Sequence, residues 1–258
     1  MKLTSSSKLI NKMMETGTFT HIYHPNKENL FENATIDVIV FRYCNSKILT
    51  NKIIYNGETK YLLNTNGILT IVNNQHDNDN NNYIKNNFHV YVGMVTGRES
   101  VFKNEEFSNF NMLNKENKID KYILIESFPT KNEGLNEYLL KHKNELMKRK
   151  IKKFNENNWF EWGALRNKKN IEKYMNKDCI YISNLTRNEK PAFIGKVQFF
   201  GGSLLILIPK KKINLNKIVE HLNSDDFKKN YTYSGRFKIG HRQLCNYSIP
   251  KIHYNIEQ

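Results

Sequence analysis

Asp178-Cys179-Ile180-Tyr181-Ile182-Ser183 opens the stretch whose reading decides the fold, and Gly201-Gly202-Ser203-Leu204-Leu205-Ile206-Leu207-Ile208-Pro209 continues it. Then come Leu215-Asn216-Lys217-Ile218-Val219-Glu220-His221-Leu222-Asn223-Ser224 and Ser234-Gly235-Arg236-Phe237-Lys238-Ile239-Gly240-His241-Arg242. The first two apolar runs are short and continuous, so they predict buried strands. The third has apolar residues at helical spacing and predicts an amphipathic helix over 215–224. The fourth is a basic loop between glycines. Strands and helix form a frame, and the loop offers cations and backbone N–H groups to phosphate. Residues 178–250 thus predict a small recognition module.

The rest of the chain is equally basic. It has 258 residues and a formal charge of +15, with 40 Lys and Arg against 25 Asp and Glu. Such a balance favours a polyanionic partner, because each cation placed at a phosphate releases a counterion. A basic proteome rich in Asn, Lys and Ile gives the same balance without any function. The three cysteines, Cys44, Cys179 and Cys245, have no metal-ligand spacing, and their odd number argues against a disulfide framework. Cys44 and Cys179 lie in or beside apolar runs and read as small buried hydrophobes. The N-terminus has no continuous apolar run and no stretch approaches a membrane-spanning length. The expectation is a soluble, intracellular chain that meets no membrane.

Upstream, Leu9, Ile10, Met13 and Met14 predict a helix that Gly17 stops, followed by a strand over 19–23. Ile36–Tyr43 is too apolar for an exposed edge and predicts a strand in a sheet covered on both faces. Further strands are expected over 52–55 and 68–72. Together, residues 1–72 read as the last part of an α/β sheet. The Asn-rich run of residues 73–87 reads as a linker and domain boundary, leaving residues 88–258 as a mixed α+β domain.

In that second part, Val90–Arg98 predicts a strand leading into a loop with Gly93, Gly97, Thr96 and Arg98, either a phosphate-approaching loop or a simple turn. Residues 102–121 read as irregular and 122–125 as a strand. A helix is expected over 135–154, with Leu139, Leu140, Leu146, Met147, Ile151 and Phe154 on one face. Lys141, Lys143, Lys148, Arg149, Lys150, Lys152 and Lys153 crowd the others as a solvated or duplex-flanking surface. Trp159 and Trp162 read as core, with stacking on a base as the sharper alternative. Asp225-Asp226 reads as a capping turn. No Walker or Rossmann glycine cradle, His-Glu-x-x-His, Cys-x-x-Cys pair or nucleophile elbow occurs.

Four segments, in order, resemble the C-terminal half of gamma-class type II DNA methyltransferases that modify the adenine exocyclic amine. Phe31–Tyr43 resembles the late strands of their catalytic sheet, and Val92–Arg98 the loop that opens their target recognition domain. Trp159-x-x-Trp162-Gly163 with Cys179–Ile182, Thr186-Arg187 and Pro191 resembles the middle of that domain, and His221–Ser224 with Arg236–Pro250 its end. The resemblance implies a partial α/β methyltransferase sheet followed by a target recognition domain. The family's AdoMet-binding glycine motif and its Asn/Asp-Pro-Pro-aromatic tetrapeptide are not in these residues, and no Pro-Pro pair occurs. Near the second strand, around Ile71, the aromatic residue that stacks on the flipped base is also missing.

The resemblance therefore implies a DNA recognition half that is inactive alone and binds no cofactor itself. S-adenosyl-L-methionine would be held by a separate catalytic methyltransferase subunit, in a heterodimer tied to restriction-modification. That subunit is expected to dock on the apolar edge of the incomplete sheet. The expected contacts to double-stranded DNA are Thr96, Arg98, Trp162, Arg166, Arg187, Lys190, Ser234, Arg236, Lys238, His241 and Arg242, with Gln198 and Gln243 as candidates for adenine edges. The competing readings are a catalytically inactive DNA-binding or structural protein and a nuclease.

Overall fold

A computed structural model describes residues 7–25, 38–48, 50–65, 68–72, 83–233 and 235–249. The chain is mixed α/β with several sheets, and it divides into two units. Unit 1 holds residues 1–89, 184–192 and 209–258, and unit 2 holds 90–183 and 193–208.

The N-terminal part of unit 1 begins with α1 (Ser7–Thr16) and β1 (Thr18–Tyr23), followed by β2 (Val40–Cys44) and β3 (Lys52–Tyr55). Strands β4 (Glu58–Thr65) and β5 (Ile68–Val72) complete a sheet of order β2-β1-β3-β4-β5. Only the β1–β3 pair is parallel among these neighbours. Ile10 of α1 packs with Phe19, Ile22, Ile53, Leu62 and Ile71. The helix thus buries its apolar stripe on one face of the sheet. The expected doubly covered strand is corrected here. Its described part, β2, is an end strand of the sheet, with Val40 59% and Phe41 45% exposed. An apolar run serves an end strand as well as a central one, and periodicity alone does not distinguish the two placements. Of the Asn-rich run, residues 73–82 lie outside the described residues. Residues 84–87 form α2 (Ile84–Asn87), whose Ile84 is fully buried and donates its amide to the Tyr247 carbonyl at 2.9 Å.

Unit 2 follows with β6 (Phe88–Val92), α3 (Glu99–Phe102) and a hairpin of β7 (Phe110–Lys115) and β8 (Lys118–Tyr122). The sequence reads this hairpin as irregular because it is polar along much of its length; Asn117 turns it at φ 55. The single helix expected over 135–154 is two shorter ones, α4 (Glu133–Lys141) and α5 (Lys143–Met147). Asn132 caps α4 by accepting the Leu135 amide at 3.0 Å, and His142 separates the two helices. Helix α6 (Lys168–Glu172) and strand β9 (Asp178–Ser183) come next. After the two-residue β10 (Leu185–Thr186) come β11 (Ala192–Lys196) and β12 (Leu204–Pro209). Strands β11-β9-β12-β6 form one sheet in that order. The predicted strands at 179–182 and 204–209 are both central, and Ile180, Ile182, Leu204 and Ile206 are fully buried.

Just past the end of α5, the Arg149 side chain turns into the interior. Rather than lining a solvated face, it is only 8% exposed. Its guanidinium donates to the carbonyls of Leu146 at 2.7 Å, Thr96 at 2.9 Å, Glu161 at 2.9 Å and Trp159 at 2.5 Å. It also lies 3.8 Å from the Phe154 ring centroid. Burial pulls its pKa down to about 10, so it stays charged at neutral pH. The carbonyls of Trp159 and Glu161 have no other hydrogen-bond donor among the described residues, so this cation satisfies them from the interior. A second constraint is Gly93. A Cβ there would overlap the Gly201 carbonyl oxygen, so only glycine permits this close approach of two backbones.

The C-terminal part of unit 1 contains α7 (Leu215–Asn223), α8 (Asp225–Lys229), β13 (Thr232–Tyr233), β14 (Arg236–Lys238) and α9 (His241–Cys245). The amphipathic helix expected at 215–224 is α7, with Ile218 and Leu222 fully buried. Ser224 caps α8, with Asp225 and Asp226 in its first turn, as expected of a capping turn. The stretch 178–250 therefore contributes strands to unit 2 and its helix and basic loop to unit 1.

Candidate nucleic-acid interface

Strands β10, β14 and β13 form a three-stranded sheet in unit 1. Thr232 pairs with Phe237 and Tyr233 with Arg236, so β13 and β14 run antiparallel as neighbours in the chain. Gly235 has a positive φ, 69°, which glycine adopts without strain. Successive side chains in a strand point to opposite faces. Phe237 is buried against Phe227 and Tyr231, at centroid distances of 5.9 and 6.1 Å. Its neighbours Arg236 and Lys238 therefore face the other way, Arg236 half-buried and Lys238 exposed.

The next strand brings more cations to the same sheet. Thr186 pairs with Phe237, so Arg187 follows directly beside β14 and is exposed. The loop from Arg187 through Lys190 is pinned at its far end. The Asn223 side chain accepts the Ala192 amide and donates to the Ala192 carbonyl, both at 2.9 Å. Lys228 donates to the Glu189 carbonyl at 3.1 Å. Arg242 is exposed on α9. Among the described residues, no carboxylate forms an ion pair with Arg187, Lys190, Arg236, Lys238 or Arg242. In unit 2, by contrast, Arg98 is bound to Glu145, Lys103 to Asp120, Lys121 to Glu105, Lys152 to Glu161 and Lys168 to Glu172. Residues 184–192 and 209–249 together carry eleven Lys and Arg against four Asp and Glu.

The other expected contacts fall elsewhere. Ser234 lies outside the described residues. His241 is half-buried, with its Nε2 3.6 Å from the Cys245 sulfur. Gln243 is spent on the backbone, its Oε1 accepting the Gly240 amide at 2.8 Å. In unit 2, Thr96 is fully buried, its hydroxyl donating to Glu99 at 3.1 Å and accepting the Arg98 amide at 3.2 Å. Its loop is a packed turn rather than an open phosphate cradle. Trp162 is 3% exposed and donates its indole N–H to the Ile123 carbonyl at 2.7 Å. Stacking on a base is therefore closed to it, and its core reading holds. Arg98 is exposed but held by Glu145, whose carboxyl is drawn below its usual range by that hydrogen bond. Arg166 is exposed and lines a groove of unit 2 with Lys169 and Lys173. Reasoning from sequence passed over those two lysines, because Arg166 lies before α6 and its proximity to them depends on the local turn rather than on helical spacing.

The fold and this surface define a mixed α/β chain with a solvent-facing, uncompensated basic sheet. The chain is 31% identical over 143 residues to the type II methyltransferase M.MjaIV of Methanocaldococcus jannaschii, covering 50% of this chain and 47% of that relative. It spans about half the length of the curated relative it matches, and it is related in sequence to a methyltransferase across that half. The type IIG restriction endonuclease BpuSI aligns with 95% of this chain and 38% of its own, at 15% identity and a TM-score of 0.34, a likeness too loose to carry an argument. No protein-family model matches the chain. Among the described residues, no helix is long and apolar enough to cross a membrane, and no three His, Cys, Asp or Glu side chains converge as a metal site.

Proposed function

We propose that this chain is the DNA-recognition part of an adenine-specific DNA methyltransferase. The observation that carries the reading is the set of cations on the β10–β14 strand pair and α9, without acidic partners among the described residues, in a chain related to a type II methyltransferase. Adenine as the target rests on the resemblance of the four segments. Arg187, Arg236, Lys238 and Arg242 would contact the phosphates of double-stranded DNA, with Lys190 at the loop. Chemistry on a base requires it to leave the stack at a cost of about a few kcal/mol, and a grip on flanking phosphates supplies it.

The transfer step belongs to a catalytic part outside these 258 residues, carrying S-adenosyl-L-methionine and the Asn/Asp-Pro-Pro-aromatic motif. That part is proposed to add a strand along β2, where Val40 and Phe41 are exposed. Calorimetric titration tests the division of labour. The chain alone should bind a short DNA duplex and give no heat with S-adenosyl-L-methionine. Saturable binding of S-adenosyl-L-methionine by the chain alone would contradict it.

A further inference from the structure

Unit 2 contains a groove of about 870 Å³ that none of the roles above uses. Its lining includes the apolar Leu124, Ile125 and Leu165 and the cations Arg166, Lys169 and Lys173. Two of its carboxylates are already engaged, Glu161 by Lys152 at 2.6 Å and Glu172 by Lys168 at 2.6 Å. That leaves three cations against Glu126. The lining is therefore net positive and partly apolar. A ligand matched to it combines an anionic group with a flat or apolar body.

The backbone marks the same place. Four non-glycine residues among those described have positive φ: Asn56, Asn117, Asn176 and Arg166. Asparagine tolerates the left-handed region because its side chain can bond locally; arginine has no such compensation. Arg166, at φ 44°, is forced there between two fixed points. Ala164 exchanges hydrogen bonds with Val95 at 2.9 and 3.0 Å, and the Lys168 amide bonds the Leu165 carbonyl at 3.1 Å as α6 starts. A strained residue persists where its surroundings over-determine it, and such residues gather at binding sites.

We infer that this groove binds a nucleoside phosphate, with Arg166, Lys169 and Lys173 on the phosphate and the base or sugar against Leu124, Ile125 and Leu165. Arg166 makes the directional contact, since its guanidinium can engage two phosphate oxygens at once, and the lysines add charge. The source is either a free mononucleotide or a nucleotide of a single strand; both present the same group. The groove belongs to unit 2, and its role does not depend on the β10–β14 surface of unit 1.

The full chain is titrated with dAMP and, separately, with a single-stranded dodecanucleotide at low salt. Binding of either probe should weaken about tenfold in the triple variant Arg166→Ser, Lys169→Ser, Lys173→Ser. It should not change in Lys47→Ser, Lys52→Ser, Lys115→Ser, a control of equal charge at exposed positions that do not line the groove. Response to dAMP assigns a free nucleotide, and response to the oligonucleotide alone assigns a strand. Arg166→Gly guards against misfolding: glycine relieves the strain, so the thermal midpoint of unit 2 should rise by about 2–4 °C while affinity falls. Failure of both probes to bind, affinity unchanged in the triple variant, or a raised midpoint with unchanged affinity in Arg166→Gly would each overturn the inference. Duplex binding that depends on Arg236, Lys238 and Arg242, together with probe affinities that the triple variant leaves unchanged, would keep the DNA reading and refute the groove.

Discussion

Arg149 donates through Nη1 to the Thr96 carbonyl at 2.9 Å, tying the turn after the α4–α5 helix pair to the loop that follows β6. The residues are 53 apart in sequence, and the same nitrogen also holds Glu161. The loop around Thr96 is thus built from the inside by a cation, not held open for a ligand.

Removing that cation should be costly. Arg149→Ala leaves the carbonyls of Trp159 and Glu161 without their donor, while Thr96 keeps the Gly163 amide and Leu146 the backbone amides of the following turn. Each unsatisfied group costs about 1–3 kcal/mol, so urea unfolding of unit 2 should show a drop of at least about 2 kcal/mol. Arg149→Lys should recover little, because an ammonium cannot point along the directions of a planar fork. Full recovery by lysine would mean that charge alone matters there.

Gly93→Ala and Gly134→Ala should have opposite signs. The first drives a Cβ into the Gly201 carbonyl oxygen and must displace backbone, so unit 2 should be destabilised by about 1–3 kcal/mol or more. At Gly134, in the first turn of α4, the nearest atom to a new Cβ is Asn132 Oδ1 at 3.5 Å, an ordinary contact. Alanine there should gain about 0.5–1 kcal/mol through helix propensity. Paired thermal melts check both.

Cys179 should resist alkylation until unit 2 unfolds. It is fully buried, its thiol donates to the Gly195 carbonyl at 3.3 Å, and burial pushes its pKa up to about 12. Only the thiolate attacks an alkylating reagent. Iodoacetamide treatment near neutral pH followed by peptide mass mapping should find Cys44 modified in the folded chain and Cys179 modified only in denaturant.

The elements legible in sequence were those whose burial is periodic. Leu215–Asn223 shows its apolar stripe plainly, and Cys179–Ile182 and Leu204–Ile208 are continuous apolar runs with nowhere to lie but a sheet interior. What hid was decided by partners distant in the chain. Arg149 reads as one more cation in a lysine-rich helix until Thr96 and Trp159 are brought beside it. The β7–β8 hairpin is polar enough to pass as a loop, and it exists because its strands pair with each other. At the candidate interface, Arg236 and Lys238 read in sequence as cations of a basic loop, and the structure places them on β14 on either side of Phe237. The burial of Thr96 and Trp162 was not legible, since their loops look the same in sequence whether open or packed.

The central claim concerns the β10–β14 surface, and the salt dependence of duplex binding tests it most directly. Affinity for a short DNA duplex is measured from about 50 to 200 mM salt for the chain and for Arg236→Ser, Lys238→Ser, Arg242→Ser. Removing one cation from its phosphate reduces the slope of log affinity against log salt by about 1. The triple variant should therefore have a slope shallower by about 3 and bind less tightly at every salt concentration. Equal slopes for the two proteins would contradict the account and move the DNA-binding surface elsewhere on the chain.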